Sequence, residues 1–86
     1  MSFYISRHAA EEQERRGIPR EALETVLNNP QQIVENRDGK KAYQSQIEFE
    51  NGKVYLVRAI ISDNTNPAIV ITVYRTRQIT RYWRDP

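Results

Sequence analysis

Apolar residues recur at helical spacing near the start of the chain and at alternating positions after residue 31. Ser6 is suited to cap a first helix over residues 7–16, and Gly17 is suited to end it. Pro19 fits the first turn of a second helix over residues 19–28. This second helix is expected to be the main packing helix, because it carries a continuous apolar stripe: Ala22, Leu23, Val26 and Leu27.

The alternating part of the chain predicts strands. Asn51-Gly52 between two β-rich segments indicates a hairpin with a two-residue turn. The pattern predicts an α+β fold, in which two N-terminal helices pack on one face of a four-stranded antiparallel sheet. A single domain would cover residues 1–86, with strands near residues 33–36, 41–50, 53–61 and 67–76.

A two-residue turn would pair Ser45 with Arg58 and direct Arg58 toward the helices. A buried arginine needs a partner, which an acid such as Glu12 or Glu21, or a bound phosphate, would supply. If Ile61 lies opposite Ala68 across the next turn, then Ile69, Ile71 and Val73 fall on the helix-facing side. This arrangement leaves the other side open, with these residues along it: Tyr55, Val57, Val70, Thr72 and Tyr74.

Charge is distributed unevenly along the chain. The 86 residues include 13 basic and 11 acidic side chains, for a net charge of +2; ten of the basic residues are arginine, and seven of the acids precede residue 40. Cysteine is absent, which excludes disulfides and thiolate metal sites and fits a reducing compartment. The N-terminus lacks a signal-peptide pattern, and no apolar segment reaches membrane-spanning length. We therefore expect a cytoplasmic protein without a membrane partner.

The C-terminal segment combines cations with aromatic rings. An apolar strand, Ile69–Tyr74, continues directly into four arginines and two further aromatic residues: Arg75, Arg77, Arg81, Tyr82, Trp83 and Arg84. Guanidinium groups match phosphate oxygens, and aromatic rings offer stacking surfaces for bases. RNA is therefore the first partner that the sequence indicates. A solvated tail whose aromatic residues cover the core remains the alternative.

His8 is the single histidine, and it shares a helix face with Glu12, Arg15 and Arg16. An imidazole with nearby arginines can cleave RNA by general acid–base chemistry without a metal. The alternative is a surface histidine paired at most with Glu12. The sequence offers no metal-ligand set or glycine-rich phosphate loop, so no cofactor is expected.

Four short motifs occur in a characteristic order: His8-Ala9, Arg16-Gly17-Ile18, Asn29-Pro30 after the second helix, and Ile71-Thr72-Val73-Tyr74. This order resembles a family of short uncharacterised domains that is placed with the RelE/ParE-like toxin superfamily and the wider barnase/EndoU/colicin/RelE fold. The resemblance covers nearly the whole chain. It implies metal-independent endoribonuclease toxins, held inactive by an antitoxin, as the characterised relatives.

The resemblance aligns the family's helix histidine with His8, its arginine before Gly-Ile with Arg16, and its strand Thr-x-Tyr with Thr72 and Tyr74. Together with the arginine pattern, it gives His8, Arg58 and Tyr74 as the predicted catalytic residues. The predicted RNA-binding residues are Arg16, Thr72, Arg75, Arg77, Arg81, Tyr82 and Arg84.

Glu12 and Gln13 depart from the family pattern, which has a basic residue followed by methionine at these positions. A carboxylate there would repel a phosphate unless it is paired. Two hypotheses therefore stay open: a metal-independent endoribonuclease or RNA-binding domain of a toxin–antitoxin system, acting on RNA or the ribosome, and a non-catalytic module that binds a protein target or an antitoxin. A third is a homodimer anchored by Tyr82 and Trp83.

Overall fold

The computed structural model describes residues 2–85 and has three helices and a five-stranded mixed sheet. The strand order is β1-β5-β4-β3-β2, in which β1 runs parallel to β5 and all other pairs are antiparallel. The elements are β1 (Phe3–Ile5), α1 (Arg7–Arg15), α2 (Arg20–Asn28), β2 (Gln32–Glu35), a 3₁₀ turn (Arg37–Gly39), β3 (Lys41–Glu48), β4 (Val54–Ser62), β5 (Ala68–Thr76) and α3 (Ile79–Tyr82).

The α+β class is confirmed, but the four-stranded, fully antiparallel sheet is wrong. The chain begins with a short strand that pairs with β5, and it ends with a short helix; neither element was predicted. Three residues are too few for alternation to identify a strand, and four are too few for helical spacing. No helix within residues 2–85 has the length and apolar character needed to span a membrane.

The first two helices begin and end close to the predicted residues. Ser6 caps α1, since its hydroxyl accepts a hydrogen bond of 3.1 Å from the backbone N–H of Ala9. Gly17 ends α1 with a φ of 63°, and the N–H of Ile18 donates back to the carbonyl of Gln13 at 2.9 Å. Both helices pack on one side of the sheet, where the core lies between α2 and the strands: Leu23, Val26, Leu27, Val57, Ala59, Ile61, Val70 and Val73.

The β3–β4 register differs from the predicted one by a single residue. The loop contains Glu50, Asn51 and Gly52 rather than two residues, because Phe49 and Lys53 form the closing backbone hydrogen bond. Gly52 adopts a φ of 78°, as expected of the left-handed residue that follows a type I turn in a three-residue hairpin.

This register change reverses the side on which each β4 side chain lies. Ser45 pairs with Val57, and Arg58 pairs with Gln44 on the face away from the helices. The predicted Ser45–Arg58 pair and the helix-facing orientation of Arg58 are therefore wrong. Tyr55, which was placed on the open face, instead pairs with Ile47 and contacts Phe49.

A β-bulge changes the alternation along β5. Its register shifts so that Ile60 pairs with Thr72 and Ile61 with Val70. Val70 and Val73 both reach the core as a result, although three positions separate them. The open-face prediction was therefore wrong for Val70. Thr72 and Tyr74 lie on the open face as predicted, and Arg58, which was predicted on the other side, lies there with them.

Candidate anion-binding site

Four polar side chains, one from each of four adjacent strands, form a hydrogen-bonded row across the open face of the sheet. Backbone register places Gln32 opposite Gln44, Gln44 opposite Arg58, and Arg58 opposite Tyr74. Gln44 donates to the amide oxygen of Gln32 at 2.9 Å. Arg58 donates from Nε to the amide oxygen of Gln44 at 2.8 Å and from Nη1 to the hydroxyl of Tyr74 at 2.6 Å. We call Gln32, Gln44, Arg58 and Tyr74 the polar row.

Arg58 is a buried cation held by neutral groups. Only 6% of its surface is exposed, and no carboxylate within residues 2–85 forms an ion pair with it. The predicted partners Glu12 and Glu21 lie on the helices, on the other side of the sheet. The guanidinium therefore carries a positive charge without a carboxylate in direct contact, although Glu35 lines the cavity beside it.

The aromatic rings of Tyr82 and Tyr74 contact this guanidinium. The Cζ atom of Arg58 lies 4.2 Å from the ring centroid of Tyr82 and 5.8 Å from that of Tyr74. The two rings meet edge to face, with centroids 6.3 Å apart. A cation over an aromatic ring gains about 2 kcal/mol when desolvated, so these contacts offset part of the cost of burying Arg58.

A cavity of about 440 Å³ opens beside Arg58. The two hydrogen bonds of Arg58 use Nε and Nη1, and no fully buried side-chain nitrogen or oxygen in residues 2–85 lacks a partner. Nη2 is therefore not fully enclosed, and Arg58 is one of the residues that line the cavity. Its lining combines three arginines with two aromatic rings, the end of β2 and the residue that follows it: Arg58, Arg81, Arg84, Tyr82, Trp83, Val34, Glu35 and Asn36.

The two glutamines of the polar row fasten the C-terminal segment over the sheet. The Gln32 amide donates to the carbonyl of Arg84 at 2.6 Å, and its oxygen accepts from the backbone N–H of Arg84 at 3.1 Å. Gln44 donates a second hydrogen bond to the carbonyl of Tyr82 at 3.2 Å. These bonds hold α3 and the following residues where Tyr82 and Arg84 line the cavity.

Tyr74 is protonated at neutral pH. Burial raises the pKa of its hydroxyl, and the hydrogen bond and charge of Arg58 oppose this effect without reversing it. The phenol can therefore accept the hydrogen bond from Arg58 and still offer its own proton.

The structure brings together five of the predicted site residues: Arg58, Tyr74, Arg81, Tyr82 and Arg84. Thr72 lies on the same face, opposite Ile60.

Arg75 and Arg77 are separated from this group, because β5 directs Arg75 to the helix-facing side. The Cζ atom of Arg75 lies 4.6 Å from the Phe49 centroid and 4.5 Å from the Tyr55 centroid, and that of Arg77 lies 5.8 Å from Tyr55.

His8 does not join Arg58 and Tyr74. It is exposed on α1, which packs against β5 from the other side of the sheet. The structure therefore does not assemble the three predicted catalytic residues in one site.

Arg16 is engaged on the surface of α1. Glu12 accepts from Arg15 at 2.7 Å and from Arg16 at 2.9 Å, and it forms no pair with His8. The hydrogen bonds from Arg15 and Arg16 lower the pKa of Glu12 to about 2. The carboxylate that departs from the family pattern is thus paired within its own helix.

Sequence reasoning missed the two glutamines. A glutamine in a strand is ordinarily assigned to solvent, yet Gln44 is fully buried. An arginine within an apolar strand, Arg58, was the one signal in the sequence that a polar partner lies nearby. Identifying Gln44 as that partner required the correct hairpin register. No group of three His, Asp or Glu side chains in residues 2–85 is arranged to hold a metal ion.

The fold and site define a small α+β domain with a cationic, aromatic-lined cavity on its open sheet face. Residues 5–75 match the family described as Domain of unknown function (DUF4258), and the chain belongs to that family. The matched region includes Arg58 and Tyr74 and ends before α3. Neither a curated protein nor a solved structure shows significant similarity to the chain.

Proposed function

We propose that this protein binds single-stranded RNA and that the cavity beside Arg58 receives one of its phosphates. The observation that carries the proposal is the buried guanidinium of Arg58, which has neutral hydrogen-bond partners and belongs to the lining of the cavity. An isolated buried charge costs several kcal/mol even after relaxation. A phosphate would supply the missing countercharge and accept charge-assisted hydrogen bonds from the same group.

The surroundings of Arg58 favour RNA over inorganic phosphate. Arg81 and Arg84 extend the positive charge beyond one phosphate, and Tyr82 and Trp83 add ring surfaces in the same cavity. Single-stranded RNA presents splayed bases for stacking as well as a charged backbone. The resemblance to RelE/ParE-like toxins supports the same class of ligand, including RNA on a ribosome. It also leads us to propose an antitoxin as a protein partner.

Metal-independent cleavage is a second candidate, and the contact between Arg58 and Tyr74 favours it. Cleavage by attack of a 2′-hydroxyl needs a base that takes the hydroxyl proton, a cation for the phosphate oxygens and a proton for the leaving 5′-oxygen. The carboxylate of Glu35, which lines the cavity, would take the first proton, Arg58 would hold the phosphate oxygens, and the protonated Tyr74 would supply the second proton. The position of His8 on the opposite layer favours a binding module without catalysis, because no imidazole faces this cavity.

The test is a binding titration with fluorescein-labelled RNA of mixed sequence, followed by anisotropy. Arg58→Met should weaken binding about ten-fold or more, since it removes charge-assisted hydrogen bonds of about 1.5–3 kcal/mol. Arg7→Met is the matched control, because Arg7 is exposed on α1, on the other side of the sheet, and its loss changes net charge equally. It should change affinity less than two-fold or so, as a surface charge remote from the site.

Salt provides an independent check. The logarithm of the affinity should fall with the logarithm of salt concentration by about 0.7 per neutralised phosphate, and Arg81→Ala or Arg84→Ala should reduce that slope. Equal weakening by Arg58→Met and Arg7→Met would show that binding follows net charge alone and would overturn the assignment of the cavity.

A further inference from the structure

A second cavity lies on the other side of the sheet, between the start of α2 and the β3–β4 hairpin. Its volume is about 570 Å³, within the range that small-molecule sites occupy. Its lining is mainly apolar where Ala22, Ile47 and Phe49 form it, and these three side chains also pack against the core. The described chain leaves this apolar surface accessible.

Arg75 provides the cation of this cavity. Its guanidinium lies against the rings of Phe49 and Tyr55, with Cζ 4.6 and 4.5 Å from their centroids. Its Nη2 lies beside the turn between α1 and α2, 3.9 Å from the position of a side-chain carbon built on Gly17. No carboxylate within residues 2–85 forms an ion pair with Arg75. The rings thus hold the guanidinium in place, and its N–H groups stay available to donate hydrogen bonds to a ligand.

The charges around the cavity restrict its ligand. Three acids, Glu21, Glu48 and Glu50, line it with the single arginine. Three carboxylates against one guanidinium disfavour a polyanion such as RNA, since like charges raise the energy of every added phosphate. A ligand with one negative charge meets the smallest share of this repulsion that an anion can, and its charge and an apolar body match Arg75 and the apolar lining.

We propose that this cavity binds a small monocarboxylate with an aromatic or branched apolar body. The carboxylate would accept two parallel hydrogen bonds from Arg75, which is the geometry a guanidinium fork favours. The body would lie on Ala22, Ile47 and Phe49. This site is independent of the cavity beside Arg58, because Tyr74 and Arg75 are consecutive residues of β5 that serve opposite faces of the sheet.

The test uses 3-phenylpropanoate as the probe and its neutral analogue 3-phenylpropanamide as the matched ligand, each titrated into ¹⁵N-labelled protein. Saturable amide shifts are expected at Gly17, Phe49 and Asn51, with the acid binding about ten-fold more tightly than the amide. Arg75→Met should weaken binding of the acid until its affinity equals that of the amide. Arg37→Met should retain the preference for the acid.

A second variant guards against misfolding of Arg75→Met. Ala22→Leu places a larger side chain in the cavity without changing charge, so it should weaken the acid and the amide alike while the amide spectrum stays dispersed. The proposal is overturned if the acid and amide bind equally to the wild type. It is also overturned if the shifts map to the cavity beside Arg58, or if no saturation occurs up to the solubility limit of the acid.

Discussion

Tyr74 and Arg58 meet across adjacent strands, with the hydroxyl of Tyr74 accepting a 2.6 Å hydrogen bond from Nη1 of Arg58. The pair lies at the centre of the open face, where Gln44 holds the other edge of the guanidinium. The cation is therefore positioned by side chains that contribute no charge of their own.

Removing the hydroxyl should destabilise the fold. Tyr74→Phe leaves Nη1 of a buried guanidinium without its partner, and hydrogen bonds to charged groups contribute about 1.5–3 kcal/mol. Urea denaturation should show a loss in that range. Tyr55→Phe is the control, since the hydroxyl of Tyr55 meets only exposed Asn51 at 3.2 Å, and its removal should cost less than about 0.5 kcal/mol. Equal losses in both variants would contradict the special role of the Arg58 contact.

Cleavage of single-stranded RNA in EDTA distinguishes two sets of catalytic residues. The sequence-based hypothesis expects His8→Ala to lower the rate by roughly 10²–10⁴-fold without changing the melting temperature. The placement of Tyr74 beside Arg58 predicts a loss of that size for Tyr74→Phe and an unchanged rate for His8→Ala. Rates from gel-resolved time courses decide between them. Failure of the wild type to cleave free or ribosome-bound RNA would remove the catalytic candidate and leave the binding proposal.

The paired carboxylate of Glu12 should contribute to stability in mild but not strong acid. Its folded-state pKa of about 2 lies below the ordinary 4.5, so this contribution is complete above pH 4.5 and is lost as the pH falls toward 2. Glu12→Gln should flatten the dependence of the unfolding free energy on pH between these values. Glu11→Gln, which removes a solvent-exposed pair with Arg7, is the control and should leave that dependence nearly unchanged.

Gln32 should control the order of the C-terminal segment. Gln32→Ala removes both hydrogen bonds to the backbone of Arg84 and the acceptor used by Gln44. Trp83 is the single tryptophan and lies in this segment, so its fluorescence reports the change directly. A red shift of its emission and faster amide exchange at Tyr82 and Trp83 are expected. Gln31→Ala, at the exposed neighbouring position, should change neither; unchanged emission in Gln32→Ala would show that α3 is held by its own packing.

The helical half of the fold could be predicted from sequence because its signals are local. Ser6, Gly17 and the apolar stripe of the second helix act within a few residues of one another. The strands beyond residue 31 were also recognisable from alternation. β1 was not, since it gains its identity only from parallel pairing with β5, a partner more than sixty residues away.

The candidate site depended on register, and register was harder to predict. Asn51-Gly52 fits both a two-residue and a three-residue hairpin loop, and the choice moves every β4 side chain to the opposite face. The apolar surroundings of Arg58 in the sequence identified it as exceptional. Predicting that Gln44 and Tyr74 are its neighbours would have required knowing that the hairpin loop has three residues. The bulge in β5 likewise moved Val70 from the predicted open face to the core.

The adjacency of Tyr74 and Arg75 in β5 couples the two cavities through the backbone itself. An insertion, deletion or slippage by one residue upstream in β5 would turn the Tyr74 side chain away from Arg58 and the Arg75 side chain away from the second cavity at the same time. Substitutions at fixed positions of this strand therefore alter one face at a time, whereas a change in its length alters both faces. A variant with one cavity altered and the other intact should come from a point substitution, never from a change in strand length.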